Sequence, residues 1–170
     1  MKFQDLAEDR YSCRKMSGRK VEKELLDRIV ETGIKAPTAV NKQPVKIFRI
    51  ESDAARDAVR RATVHTFGAE EFLVVGYRED EGWVREYDSR PFADVDAAIV
   101  ATHMMLQTAD LGLATTWVGH FDAPLLRQLC PEMKDYELIA LFPIGYAADD
   151  AEPSPRHSIR KTAEEMTAVL

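Results

Sequence analysis

The segment Val95–Leu111, VDAAIVATHMMLQTADL, constrains the fold more than any other part of the chain. Apolar or small residues run nearly all the way round it, and Gly112 follows as a helix C-cap. A helix without a clear polar face is buried on most sides. In a chain of only 170 residues, that burial points to a partner subunit covering part of the helix. Ile99 and Met104 are the residues expected to face that partner.

The other elements read by their period. Val21, Leu25, Leu26, Ile29, Val30 and Ile34 form a helical stripe opposite Glu22, Lys23, Asp27 and Glu31. Pro37 ends it, because the residue before a proline is pushed out of the helical region. Val45–Ile50, Phe72–Tyr77 and Tyr136–Gly145 read as strands, and Ala114–Val118 as a strand or extended turn. Asp53–Arg61 reads as an exposed helix started by Ser52 or Asp53, and Ala123–Leu129 as a short helix with proline in its first turn. Arg78–Tyr87 reads as a charged loop. The polar tail from Asp149 to Lys161 is either disordered or laid over a surface, and Thr162–Met166 adds one helical turn. Strands scattered among helices, with few β-α-β units, predict an α+β fold.

Several function classes are disfavoured at once. A formal net charge of −6 argues against general nucleic-acid affinity, though not against a local basic pocket. Cys13 and Cys130 lack metal-ligand spacing and suit a reducing compartment. The start, MKFQDLAEDRYS, has no apolar core of a signal peptide, and no run reaches membrane-spanning length. The expectation is a cytoplasmic protein. Glycine-rich nucleotide loops and a nucleophile elbow are missing, and His65, His103, His120 and His157 lack zinc-site spacing, so no metal is expected.

Four polar clusters remain, each with two readings. Arg10-Tyr11-Ser12-Cys13-Arg14 is a solvated face, or two guanidiniums converging on an anion with a hydroxyl between them. Pro37–Pro44 is a turn with Asn41 left-handed, or a carboxamide-rich edge for a heterocycle. Thr115–His120 is a strand end with a buried tryptophan, or a place where backbone beside Gly119 meets a ligand. Arg156–Lys161 is a solvated tail, or a basic patch in an otherwise acidic tail.

The order of these clusters resembles the FMN-dependent nitroreductase family. Arg10-x-Ser12-x-Arg14, a helix, and then Ala36-Pro37-Thr38-Ala39-x-Asn41-x-Gln43-Pro44 resemble that family's N-terminal signature. Ala109–Gly119 is similar to its helix-to-strand junction, and Leu141–Tyr146 with Arg160-Lys161 to its C-terminal end. The resemblance spans about Arg10 to Glu165. It implies one domain over residues 1–170, with a central, mostly antiparallel sheet flanked by helices. It also implies an intertwined homodimer, FMN sites at the interface, and residues 149–170 packed on the partner.

Carried over residue by residue, the resemblance assigns Arg10 and Ser12, with Tyr11 between them, to the FMN phosphate. Arg14 falls near the phosphate or the flavin pyrimidine edge. Arg160, with Arg156 or Lys161, is the C-terminal phosphate partner. Pro37, Thr38, Ala39 and Asn41 line the flavin of the other subunit, supported by Gln43. Trp117, Val118 and Gly119 pass the flavin N5 side, where a backbone N–H of Val118 or Gly119 would orient the ring. The implied activity is transfer of a hydride from NADH or NADPH through FMN to a nitroaromatic, a quinone or a similar acceptor. His120 is either a proton donor or only pocket wall. Two alternatives stay open: a flavin-binding module without turnover, and another reductive flavin chemistry such as ene reduction or dehalogenation. Where the family often carries tryptophan after Gln43-Pro44, this chain has Val45, and its active-site cover is reduced to about Gly82–Tyr87. Trp83 or Tyr87 could stack on a substrate there.

Overall fold

The second strand explains the layering. Phe72-Leu73-Val74-Val75 is apolar at every position, so both of its faces must be covered. In the computed structural model, which describes residues 2–170, this stretch lies in β2 (Glu71–Tyr77), an inner strand of a four-stranded sheet. The sheet also contains β1 (Val45–Ile50), β5 (Ala114–Thr115) and β6 (Glu137–Gly145), in the order β1-β2-β6-β5. Every pairing in it is antiparallel. The fold is α+β, as the mixture of elements predicts.

Alternation along β2 divides the core. Phe72 and Val74 point to one face, with Ile50, Val59, Leu126, Met133 and Leu141. Leu73 and Val75 point to the other, with Ile29, Val100, Met104, Phe142 and Ile144. The first face is covered by α3 (Asp53–Ala62) and α5 (Ala123–Leu129), and the second by α2 (Lys23–Ile34) and α4 (Ala93–Asp110). Ser52 caps α3 by accepting from the Ala55 N–H at 3.2 Å, and Asp122 caps α5 by accepting from Leu125 at 2.9 Å.

The central helix α4 ends as its glycine predicts. Gly112 takes φ +72°, the Gly112 N–H donates to the Ala109 carbonyl, and the Leu113 N–H donates to that of Thr108. This paired arrangement satisfies the last carbonyls of the helix. Its buried stripe runs Ala93, Asp96, Ala97, Val100, Ala101, Met104 and Thr108. Met104 is therefore turned into its own chain, against Gly33 of α2, and not toward a partner. A Cβ on Gly33 would stand 2.7 Å from Met104 Cγ, so glycine sets how closely the two helices pack. Val95, Ala98, Ile99 and Leu106 on the outer side are only half-buried, and Thr102 is exposed.

Three features depart from the sequence expectation. A helix α1 (Phe3–Asp9) precedes the first basic cluster; it buries no residue, so no apolar stripe announces it. The charged stretch after Tyr77 holds a two-stranded ribbon, β3 (Val84–Arg85) with β4 (Arg90–Pro91), and is more than a loop. Trp83 at its base packs edge-to-face on Phe92 at 5.2 Å, whereas Tyr87 at its tip is almost wholly exposed. Finally, Ile34 closes the α2 stripe but stays 67% exposed.

The start of the tail is tied to the N-terminal run. Ser17 N–H donates to the Tyr146 carbonyl, Ala148 N–H donates to that of Lys15, and Lys15 pairs with Asp150. A final turn, α6 (Ala163–Met166), is closed by a reciprocal capping box between Thr162 and Glu165. Among the described residues no helix is long and apolar enough to cross a membrane.

Candidate functional site

The run from Tyr11 to Met16 is extended, with Cys13 and Met16 buried. Cys13 N–H donates to the Thr115 carbonyl at 3.0 Å and Met16 N–H donates to that of Phe67 at 2.9 Å. Residues 10, 12 and 14 are thereby left on the open side. The tail beginning at Tyr146 pairs along the same run, so residues 154–160 arrive beside residues 10–14. Ser154 caps a turn of 3-10 helix (Pro155–Ser158) by accepting from the Arg156 N–H.

The result is a hollow of about 440 Å³ lined by Arg10, Ser12, Arg14, Ser154, Arg156, His157 and Arg160. Among the described residues none of these four guanidiniums meets a carboxylate. The contacts recorded for them are Arg14 donating to the Ser12 carbonyl at 3.2 Å and Arg160 to that of Ile159 at 2.8 Å. Four unneutralised arginines in a chain of net charge −6 form a local field suited to an anion with several acceptor oxygens. Arg10, Ser12, Arg14 and Arg160 are thus brought together, and Arg156 joins them. Lys161 does not line the hollow. His157 lies edge-on to the Tyr11 ring at 6.3 Å. Tyr11 turns to a second, smaller cavity behind the run, and its partial burial raises the phenol above its ordinary pKa, with Cys13 adding to the effect.

The Thr115–His120 segment divides its duties. Thr115 and Thr116 are buried, and Trp117 packs edge-to-face on Phe142 at 5.4 Å. Val118 is buried, and both its N–H and its carbonyl bond to Leu141 at 3.0 Å. The Val118 amide is therefore committed to the sheet, and of the two candidate donors only Gly119 keeps a free N–H among the described residues. A Cβ on Gly119 would meet nothing within 4 Å, so open space lies over that backbone.

Gly119 and His120 line another hollow, of about 470 Å³, with the end of α3 and residues Thr63 and Val64. Thr63 Oγ1 donates to the His120 carbonyl at 2.8 Å, and the His65 ring stands edge-on to His120 at 5.4 Å. Thr63 and His65 carry no readable pattern in sequence. Only their position in space joins them to the His120 segment.

The Pro37–Asn41 loop lies elsewhere in the chain. Thr38 and Gln43 border a narrow cleft with Gly33, Ile34 and Val100, and touch neither hollow. The loop holds an unusual backbone: Val40, Asn41 and Gln43 take φ of +44°, +56° and +52°. The left-handed Asn41 is what its residue type allows, but a β-branched valine there is costly. Thr38 Oγ1 accepts from the Gln43 N–H at 3.0 Å, and the Ala39 N–H donates to Asp96 Oδ1 at 2.8 Å.

Comparison with known proteins shows the family and the fold. A model of the Nitroreductase family matches residues 7–71 and 61–146, and the chain belongs to that family. A nitroreductase family protein from Clostridium difficile is 33% identical, with a TM-score of 0.90 over 99% of this chain and 98% of that one. The fold also matches a structure described as a nitroreductase in complex with FMN, from Desulfovibrio desulfuricans (21% identity, 100% and 97% covered, TM-score 0.79). A third match is described as an NAD(P)H:FMN oxidoreductase from Staphylococcus epidermidis (19% identity, 99% and 95% covered, TM-score 0.82). A search of curated proteins finds no match.

Proposed function

We propose that this chain is an FMN-dependent NAD(P)H oxidoreductase that reduces an electron-poor acceptor, a nitroaromatic, a quinone or a similar compound, in a ping-pong cycle. The observation that carries the reading is the hollow with four arginines and, among the described residues, no carboxylate partner, built at the positions the family resemblance assigns to a phosphate. The residues fit a flavin mononucleotide at that end: guanidiniums for the phosphate oxygens and the Ser12 hydroxyl for a further bond.

FMN, when bound, supplies two-electron transfer between a nicotinamide and the acceptor. The chain's part is to bind and orient. Arg10, Arg156 and Arg160 hold the phosphate, and Arg14 offers a cation to the pyrimidine edge. The free Gly119 N–H is the donor for the N5 side. His120, with His65 beside it, is the group available to pass a proton to the acceptor.

The same reading makes the protein a homodimer. In one chain the Pro37–Asn41 loop is separate from both hollows, which suits a loop that serves the partner's flavin. The half-buried outer side of α4 offers an apolar face, and Ile159, Met166, Val169 and Leu170 leave an apolar tail exposed for the partner. The reading also places the protein in the cytoplasm, in keeping with two free, buried cysteines.

The visible spectrum of the purified protein tests the proposal. Flavin bands that NADH or NADPH bleaches and a nitro compound or quinone restores are expected. A colourless protein that ignores added FMN sinks the reading. Bound flavin that neither nicotinamide bleaches would instead favour a binding module without turnover.

A further inference from the structure

Asp96 is an acid in the first turn of α4, 1% exposed, beneath the Pro37–Gln43 loop. One oxygen, Oδ1, accepts from the Ala39 N–H at 2.8 Å, while Oδ2 is buried and has no hydrogen-bond partner among the described residues. A carboxyl group is expensive to bury for one hydrogen bond, and an apolar residue would pack the helix at lower cost. What the bond secures is the part of the chain least able to hold itself. Two positive-φ residues, Val40 and Asn41, follow Ala39 directly and a third, Gln43, comes after Lys42; Val40 is 70% exposed, with little packing to enforce its conformation. Strained backbone persists only where its surroundings over-determine it. Within the loop the Asn41 and Lys42 N–H groups donate to the Thr38 and Ala39 carbonyls, and the Gln43 side-chain amide to that of Asn41. Only two side chains tie its ends: Asp96 accepts from the Ala39 N–H at the entry, and Thr38 Oγ1 accepts from the Gln43 N–H at the exit.

We infer that Asp96 is a positioning residue, which holds the Pro37–Gln43 loop in the conformation that presents Thr38 and Asn41 to the flavin ring. The inference rests on the flavin reading above and deepens it, because it separates two halves of recognition. The arginine hollow reads the phosphate. The loop clamped by Asp96 reads the ring and ribityl chain, which FMN and riboflavin share.

The test measures FMN and riboflavin affinity, with the absorption and circular dichroism of each bound flavin, for the wild type, Asp96→Ala, Asp96→Asn and Asp96→Leu. Asp96→Ala should weaken both ligands equally, by roughly tenfold, since it leaves the Ala39 N–H without an acceptor. It should also shift the bound-flavin dichroism. Asp96→Asn keeps an acceptor oxygen and should restore affinity and spectrum to near the wild type, whereas Asp96→Leu, which fills the space without an acceptor, should behave like Asp96→Ala; a rescue by leucine overturns the inference. Unchanged binding in Asp96→Ala, or a loss confined to FMN, overturns the inference while the flavin reading stands. A wild type that binds neither ligand overturns both. Should Asp96→Ala fail to fold, hydrogen exchange in the wild type decides. The Ala39 amide should exchange far more slowly than the Val40 amide, and equally fast exchange at the two overturns the clamp.

Discussion

Arg10 shows how much a single residue's meaning depends on what arrives beside it. In sequence it is one of two charges four apart, a pattern that usually just meets water. In the fold it shares a hollow with Arg14, Arg156 and Arg160, two of them contributed by the tail. Replacing Arg10 with alanine should therefore weaken FMN by about 1.5–3 kcal/mol, the worth of a hydrogen bond to a charged group, and leave riboflavin nearly unaffected. Titration of both ligands checks this, and an equal loss for the two would show that Arg10 does not read the phosphate. Asp96 is the contrary case at the same scale. An acid in the first turn of a helix is ordinary, so nothing in its local sequence marks it. Its importance lies in a bond to Ala39, fifty-seven residues earlier in the chain.

Elements were legible where their period was strong. The stripe of α2 and the strands β1, β2 and β6 follow directly from their patterns, because each has one or two faces that must be buried. Helix α1 buries nothing and so left no pattern, and the β3–β4 ribbon has only two residues per strand. The junction between α2 and β6 was illegible for another reason, since side chains distant in sequence make it. Tyr146, just after β6, donates its hydroxyl to Glu22 at 2.6 Å, and Arg19 pairs with the same carboxylate at 3.0 Å. The Tyr146 bond, then the Arg19 bond, hold the Glu22 carboxyl below its ordinary range, and Glu22 in turn raises the Tyr146 phenol. The signs are opposite. Stability from Glu22 is complete above its unfolded pKa and is lost as pH falls through the lower folded value. Stability from Tyr146 is complete below about pH 10 and is lost as pH rises through the higher folded value. Tyr146→Phe should thus lower the urea midpoint at neutral pH by a small amount, as befits an exposed cluster. The gap from wild type should close toward both acid and strong alkali. A gap that stays constant across pH would mean that the hydroxyl acts through packing alone.

At the scale of the molecule, the proposed flavin site needs a second chain to complete it. The hollow that suits a phosphate, the Gly119 segment and the Asp96-clamped loop occupy separate surfaces, and a loop that lines the partner's flavin would reconcile them. The helix expected to carry the partner is α4, but its two expected contact residues part company. Met104 is turned inward, whereas Ile99 stays half-buried on the outer side, with exposed Thr102 three positions along. Thr102 is the better place to test assembly, because a substitution at an exposed position typically changes chain stability by no more than about 0.5 kcal/mol. Thr102→Arg sets a long cation in the middle of the outer apolar face, where a second copy would have to desolvate it. The expected product is a folded monomer with unchanged far-ultraviolet dichroism and a flavin affinity lowered by at least about tenfold. Sedimentation alongside flavin titration reads both quantities. A Thr102→Arg protein that remains dimeric would move the interface to another face. A monomer that keeps the wild-type affinity would show that each chain builds its flavin site alone.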